Sequence, residues 1–259
     1  MDNAPVSAIA LRIAAPGTSK EEFARRANTL ADAMLALPAS MGVISKIDLF
    51  LPNDTFRDIV QRMQLGIPPV CVLARYEFTS DEARLGLLAD PEFNRLLAEF
   101  DPLGTKTSFP VDITTYKDAP PILGSGTKMV GLAIMNIPQA TPSDNLAGLA
   151  QPAADLHQKL KPSIEEYLAL PEVQRGLAKH TVLQMSQHHK LPSQALVERG
   201  ANSVLTRNQS TIIIISEAPD LTEIAQSPAV MDITKKLRET LPVFESMAFV
   251  AEVITKTAL

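Results

Sequence analysis

The 259-residue chain predicts an α+β protein built from two tandem ferredoxin-like βαββαβ units whose antiparallel sheets pack face to face as a barrel. Three observations predict it. Short strings recur in order along the chain: Leu35-Ala36-Leu37-Pro38 returns as Leu168-Ala169-Leu170-Pro171, with Lys46 and Lys179 following their prolines at the same distance. Leu51-Pro52 is echoed by Leu191-Pro192, Asp90-Pro91 by Ser227-Pro228, and residues 108–117 by 248–257. Between these landmarks, period-two apolar runs alternate with helix-period runs in the same sequence twice. A Pro- and Gly-rich stretch over 119–127 then separates a first unit, 1–118, from a second, 128–259.

In the first unit, residues 6–13 read as a strand with Ile9, Leu11 and Ile13 on one face. Pro16-Gly17 breaks it, and Ser19 with Glu21 and Glu22 supplies a cap and an acidic first turn. The helix that follows carries Phe23, Ala27, Leu30, Met34 and Leu37 along one side and stops at Pro38. Strands follow over 44–50 and 70–78, with a short helix over 55–63 between them. Ser80 then caps a helix through Phe100, and 109–116 closes the unit. The second unit repeats the order. Its strands fall at 129–137, 179–186, 211–217 and 249–255. Helical stretches fall at 143–170, broken by Pro152 and Pro162, through Arg199, and at 221–241. Each sheet keeps one helix-free face, which is costly to leave in water. Packing the two faces together buries both and predicts a ligand cavity between them.

Composition narrows the function classes. Twenty-four basic against 29 acidic residues give a net charge of -5, a poor match to a phosphate backbone, so no nucleic-acid partner is expected. Lone Cys71 excludes an internal disulfide framework and a cysteine-rich zinc site. The acidic N-terminus has no signal-peptide pattern, and apolar runs such as 212–215 are too short to span a bilayer. A cytoplasmic protein without a membrane partner is expected, and a homodimer is left open.

The chain resembles the dimeric α+β barrel superfamily in a tandem form, over residues 6–257. The resemblance rests on the element order, on the helix-ending Leu-Pro before the second strand, and on Asp90-Pro91 and Ser227-Pro228. These last two look like the Asp/Ser-Pro step of EthD-like and antibiotic-biosynthesis-monooxygenase-like proteins. It implies cofactor-independent monooxygenases, cyclases or isomerases, or haem enzymes, and fold alone does not choose among them.

Walker, nucleophile-elbow, His-Glu-x-x-His and Rossmann patterns are missing, and no ligand set stands near the histidines, so neither cofactor nor metal is expected. His180 is the first catalytic candidate. Alternation puts it on one strand face with Gln184 and Ser186, which we expect to point into the barrel, where an imidazole could remove an activated proton. The repeat aligns His180 with Ile47. Arg12, Asp48 and Arg75 are charges inside strands. They would bind an enolate or relay protons together with Asp112 and Tyr116, or form ion pairs joining the sheets. His188 and His189 would sit at the barrel mouth as substrate contacts, with 139–152 as a lid. The resulting expectation is a cofactor-free enzyme that takes a proton from a small hydrophobic aromatic or polyketide-type substrate, followed by cyclisation, isomerisation or oxygenation. A haem protein with His157 as axial ligand and a non-catalytic or stress-related small-molecule-binding barrel are the alternatives.

Overall fold

The computed structural model describes residues 4–101, 104–119, 128–138, 153–186, 209–240 and 245–258. The first half contributes strands β1 (Val6–Ala14), β2 (Ile44–Asn53), β3 (Cys71–Phe78) and β4 (Gly104–Asp118). The second contributes β5 (Met129–Pro138), β6 (Lys179–Met185), β7 (Gln209–Ala218) and β8 (Glu245–Thr257). Together they close an antiparallel barrel in the order β1-β3-β2-β8-β5-β7-β6-β4. Within each half the order is fourth, first, third, second, the arrangement a βαββαβ chain makes when its helices stay on one side. The two sheets do more than face each other. Strand β2 hydrogen-bonds β8 and β4 hydrogen-bonds β6, so these two seams leave no strand edge open.

The ladders of the two halves run in the same register. Ala10 lies between Ala74 and Ser108, and Ala133 lies between Ile214 and Ala248. Asp48 pairs with Arg75 where Thr181 pairs with Ile215, and Ile47 with Tyr76 where His180 pairs with Ser216.

Helix α1 (Lys20–Ala36) starts where the Ser19 hydroxyl accepts the Glu22 amide, 3.2 Å away, and it buries Phe23, Ala27, Leu30, Ala31 and Met34. Strand β2 is followed by α2 (Arg57–Arg62). The helix expected over 80–100 is two helices, α3 (Asp81–Ala89) and α4 (Pro91–Glu99). Proline biases the residue before it away from the helical region, and Asp90 is extended, at φ -68 and ψ 128. Its carboxylate then caps the new helix by accepting the Phe93 amide at 2.9 Å. In the second half α5 (Ala153–Ala169) continues through Pro162, where an interruption was expected. The carbonyl that Pro162 leaves without a helical donor belongs to exposed Gln158, within reach of water. The short α6 (Pro171–Gly176) follows. The Ser227-Pro228 step then divides α7 (Thr222–Gln226) from α8 (Pro228–Thr240), as Asp90-Pro91 divides its counterparts. Among the described residues no helix is long and apolar enough to cross a membrane.

Both faces of the barrel wall are apolar. Inside lie Ile9, Leu11, Leu73, Val111, Leu132, Ile134, Leu183, Ile213, Ile215 and Phe249, drawn from both halves. Outside, under the first-half helices, are Ala8, Ile47, Leu49, Val72 and Ala74 against Phe23, Ala27, Leu30 and Phe93. Under α5 are Met135, Val182 and Ile212 against Leu160 and Ile164. Each fully buried Leu or Ile contributes about 2 kcal/mol, so both layers hold the wall in place.

Candidate active site

The interior face of the barrel is largely a packed core that opens into a cleft at one lip, where Asp48, Arg75, Phe50, Val130 and Ala251 line it, and a second, apolar cavity lies elsewhere. It sits outside the wall, between the first sheet and helices α1, α3 and α4, with a volume of about 140 Å³. Its origin is a choice of small residues. Strands β1 and β3 present Ala8, Ala10 and Ala74, and α1 presents Ala27 and Ala31 one turn apart on the facing side. Where both surfaces carry only a methyl group, a sheet and a helix cannot fill the gap between them. Leu30, Met34, Phe93 and Leu97 complete an apolar lining.

Three cations line this space, Arg12, Arg84 and Lys106, and no carboxylate or histidine does so among the described residues. Arg84 is paired with Asp81 at 2.7 Å and Lys106 with Asp101 at 3.3 Å. Arg12 is only 6% exposed. Its Nη1 donates to the Phe100 carbonyl at the end of α4, 2.6 Å away, and it has no carboxylate at ion-pair distance among the described residues. Burial lowers its pKa from the ordinary value, while Tyr76 and Asp101 act in the opposite direction. The Tyr76 phenol also lines the cavity, and burial raises its pKa, which the charge of Arg12 partly offsets. It is therefore a neutral hydrogen-bond donor at pH 7. The arrangement suits a ring-shaped apolar ligand bearing one negative or strongly polarised oxygen.

The remaining sequence-derived candidates fall in two other places. Asp48 and Arg75 do face the inside, at one lip of the barrel. Arg75 reaches Asp48 Oδ2 through Nη2 at 2.5 Å and Nε at 3.1 Å. Lys46 lies 3.0 Å from the same oxygen, and the Thr255 hydroxyl donates to Oδ1 at 2.7 Å across the β2–β8 seam. Burial by itself would raise the Asp48 pKa, but the bonds from Thr255, Arg75 and Lys46 hold it below the usual carboxylate range. The guanidinium also stacks over the Phe50 ring at 5.9 Å. A broad cleft of about 740 Å³ opens beside this group, also lined by Lys128 and Glu217, themselves an ion pair. The geometry is that of an ion-pair network tying strands together.

His180 points the other way from the direction expected. Leu183 belongs to the barrel interior and Val182 to the layer under α5, so alternation puts His180, Gln184 and Ser186 on the helix side with Val182. His180 is 3% exposed. Its Nδ1 is 3.0 Å from the Ser216 hydroxyl, and its Nε2 has no hydrogen-bond partner among the described residues. Burial pulls its pKa down to about 4, so the ring is neutral at pH 7. The rings of Tyr167 and Tyr116 stand 5.3 and 6.5 Å away, and burial pushes the Tyr167 phenol up to about 12. Tyr116, also on the helix side, bonds His157 Nε2 at 2.6 Å. That nitrogen is engaged, which does not fit an axial haem ligand. Asp112 lies opposite Gln184 across the β4–β6 seam, away from Asp48 and Arg75. A single polar patch joining Arg12, Arg75, Asp48, Asp112 and Tyr116 is therefore not formed. His188, His189 and the stretch 139–152 lie outside the described residues.

Sequence reasoning missed the cavity itself. Its signal was Ala8 and Ala10 on one strand face, Ala27 and Ala31 one helical turn apart, and Ala74 in the third strand, a concentration of small residues at positions facing one another.

Solved structures similar to this one share the whole architecture. An anthrone oxidase-like protein matches with a TM-score of 0.60 at 13% identity, over 99% of this chain and 94% of its own. A proposed monooxygenase from Fusobacterium nucleatum subsp. nucleatum matches with a TM-score of 0.50 at 8% identity, over 100% of this chain and 98% of its own. The fold they share is an α+β barrel, closed here by eight antiparallel strands. Here the α+β barrel closes within one polypeptide, through the β2–β8 and β4–β6 seams. No family model and no curated protein sequence matches the chain.

Proposed function

We propose that this α+β barrel is a cofactor-independent oxygenase for a small aromatic or polyketide-type molecule that ionises to a phenolate or enolate. The observation that carries this reading is the buried Arg12 guanidinium, which lies without a carboxylate partner among the described residues on an otherwise apolar cavity. In such surroundings a fixed positive charge strongly favours the anion of a bound hydroxyl group. The anion's ring carbon, para to the oxygen, is electron-rich enough to reduce O2, forming a C–O bond. Loss of water from the resulting hydroperoxide leaves a carbonyl. One oxygen atom enters the product quinone, the other leaves as water, and the substrate gives up one C–H and one O–H hydrogen. Arg12 would hold the anion, Tyr76 would donate a hydrogen bond to it, and the alanine-lined walls would exclude water. The likeness to an anthrone oxidase-like protein supports this reaction class. The matching ladder registers support reading 1–118 and 128–259 as two copies of one unit joined through 119–127, the first of which holds this space.

A second reading has an observation of its own. No described residue lining the cavity is a carboxylate or histidine, so the protein could capture an aromatic anion without turning it over. Oxygen uptake separates the two. Purified protein given di- and trihydroxybenzenes should consume O2 and form quinone absorbance, and Arg12→Met should lose at least 90% of the rate with an unchanged circular dichroism spectrum. Binding without oxygen uptake across that series overturns the oxygenase reading in favour of the second.

A further inference from the structure

We infer that the cavity selects a single aromatic ring carrying an ionised hydroxyl, and rejects fused bicyclic and tricyclic rings. This deepens the reading above and rests on the same site, but it concerns what binds there. Size sets the first requirement. An apolar protein cavity of about 150 Å³ accepts one benzene ring, and the cavity here, which opens to solvent on one side, has about 140 Å³. A three-ring anthrone needs roughly twice that space, and interiors packed like organic crystals open reluctantly to admit it. The walls that would have to move are not loop residues. Leu30 and Met34 belong to α1, Phe93 and Leu97 to α4, and Ala74 to the middle of β3, which is paired on both edges.

Charge sets the second requirement. Arg84 and Lys106 already hold carboxylates, whereas the guanidinium of Arg12 is bonded to the Phe100 carbonyl. A ring lying against Ala8, Ala10 and Ala74 with its oxygen toward Arg12 would supply the missing anion. A neutral ether of the same shape would not.

The second half provides the substitutions that test this. Ladder register places Ile214 where the first half has Ala74, and Met135 where it has Arg12. Both replacements therefore already occur at the matching site of the same fold. The experiment is equilibrium binding, by calorimetry, of 4-nitrophenol, 4-nitroanisole, 4-nitro-1-naphthol and anthrone, without measuring turnover. Wild type should bind one 4-nitrophenol per chain, at least tenfold more tightly above the phenol's pKa than below it, and at least tenfold more tightly than the naphthol or anthrone. Ala74→Ile should weaken 4-nitrophenol at least tenfold with no fall in Tm. Arg12→Met should abolish the pH dependence while keeping affinity for 4-nitroanisole. Anthrone or the naphthol binding as well as 4-nitrophenol would overturn the size inference and leave the oxygenase reading standing. No binding of 4-nitrophenol, or equal binding of 4-nitroanisole by wild type, would overturn the inference outright. The wild-type series alone decides the matter if either variant fails to fold.

Discussion

The two halves of the barrel place their helices over sheets of the same register, yet the layer between helix and sheet holds a cavity in the first and, among the described residues, packed apolar side chains in the second. In the first half Ala74 and Arg12 face α1 and α4 across a cavity. In the second Ile214 and Met135 take those positions, packed with Leu160, Ile164 and Ile212 beneath α5. The polar groups are exchanged as well. The first half has its ion pair, Asp48–Arg75, on the barrel side and the apolar Ile47 on the helix side. The second has Thr181–Ile215 on the barrel side and His180–Ser216 on the helix side. One backbone plan thus supports two divisions of labour, and a few side chains at matched ladder positions decide which half has room for a ligand.

Exchanging those side chains tests the comparison, and the largest effect belongs at the barrel lip. Asp48→Ala leaves Arg75 and Lys46 without their common anion and should destabilise the protein by about 3 kcal/mol. Importing the second-half pair, Asp48→Thr with Arg75→Ile, should recover most of that loss. Urea unfolding curves of the single and double variants measure both. A single variant as stable as wild type would mean that the ion pair is not what joins β2 to β3 there.

The next effect is a pH dependence. The folded pKa of His180 is about 4, below its unfolded value of about 6.5, so between these values the unfolded chain binds more protons. Stability should therefore fall as pH drops from about 6.5 to 4 and level off below. His180→Ile, which imports the first-half residue, should remove that limb and raise stability at pH 7 by about 1 kcal/mol, by ending the burial of an unpartnered Nε2. Asp48 has its pKa depressed, so its contribution is present above the ordinary aspartate value near 3.9 and is lost as pH falls through its lower folded value. The two limbs are separated by comparing His180→Ile with wild type above and below pH 4. Absence of any difference would mean that the imidazole is not desolvated in solution.

Ala74→Ile should also raise the unfolding free energy, by roughly 1 kcal/mol, because it fills existing space. A loss of more than 1 kcal/mol would show that the space is too tight for the second-half residue. The smallest effect concerns the paired helix breaks. Asp90→Ala removes a 2.9 Å cap and should cost about 1 kcal/mol in chemical unfolding. Ser227 reaches the Val230 amide only at 3.4 Å, so losing that cap should cost about half as much in a Ser227→Ala variant whose partner Glu172 is also changed to Ala in both backgrounds.

Much of the architecture can be read from the sequence because breakers and periodicity are local. Pro16-Gly17, Pro38 and the Ser19 and Ser80 caps mark boundaries that the structure keeps, and alternation assigns Ile9 and Leu11 to a common face. Alternation says which residues share a face but not which face looks inward. That is decidable only when one side is polar. Here the barrel side and the helix side are both apolar, so His180 was placed with the wrong layer, although its alignment with Ile47, which is fully buried under helices, pointed to the right one. The cavity was harder still, since an alanine is informative only when its spatial neighbours are also alanines, and Ala27, Ala31 and Ala74 meet only in three dimensions. The break at Asp90-Pro91 was within reach, because proline restricts its predecessor wherever it occurs.

The seams bear on how such a chain comes to fold. Strand β8 follows every other described strand in the chain and yet stands between β2 and β5, so the ring of hydrogen bonds cannot be completed until it docks. Before that, β2 presents a bare row of amides and carbonyls to whatever strand is near, including one from a neighbouring nascent chain. Joining segments about two hundred residues apart also makes closure a high-contact-order event, and hence a slow one. A protein with no free edge when finished therefore spends its assembly with two exposed, those of β2 and β5, until that gap is bridged from within.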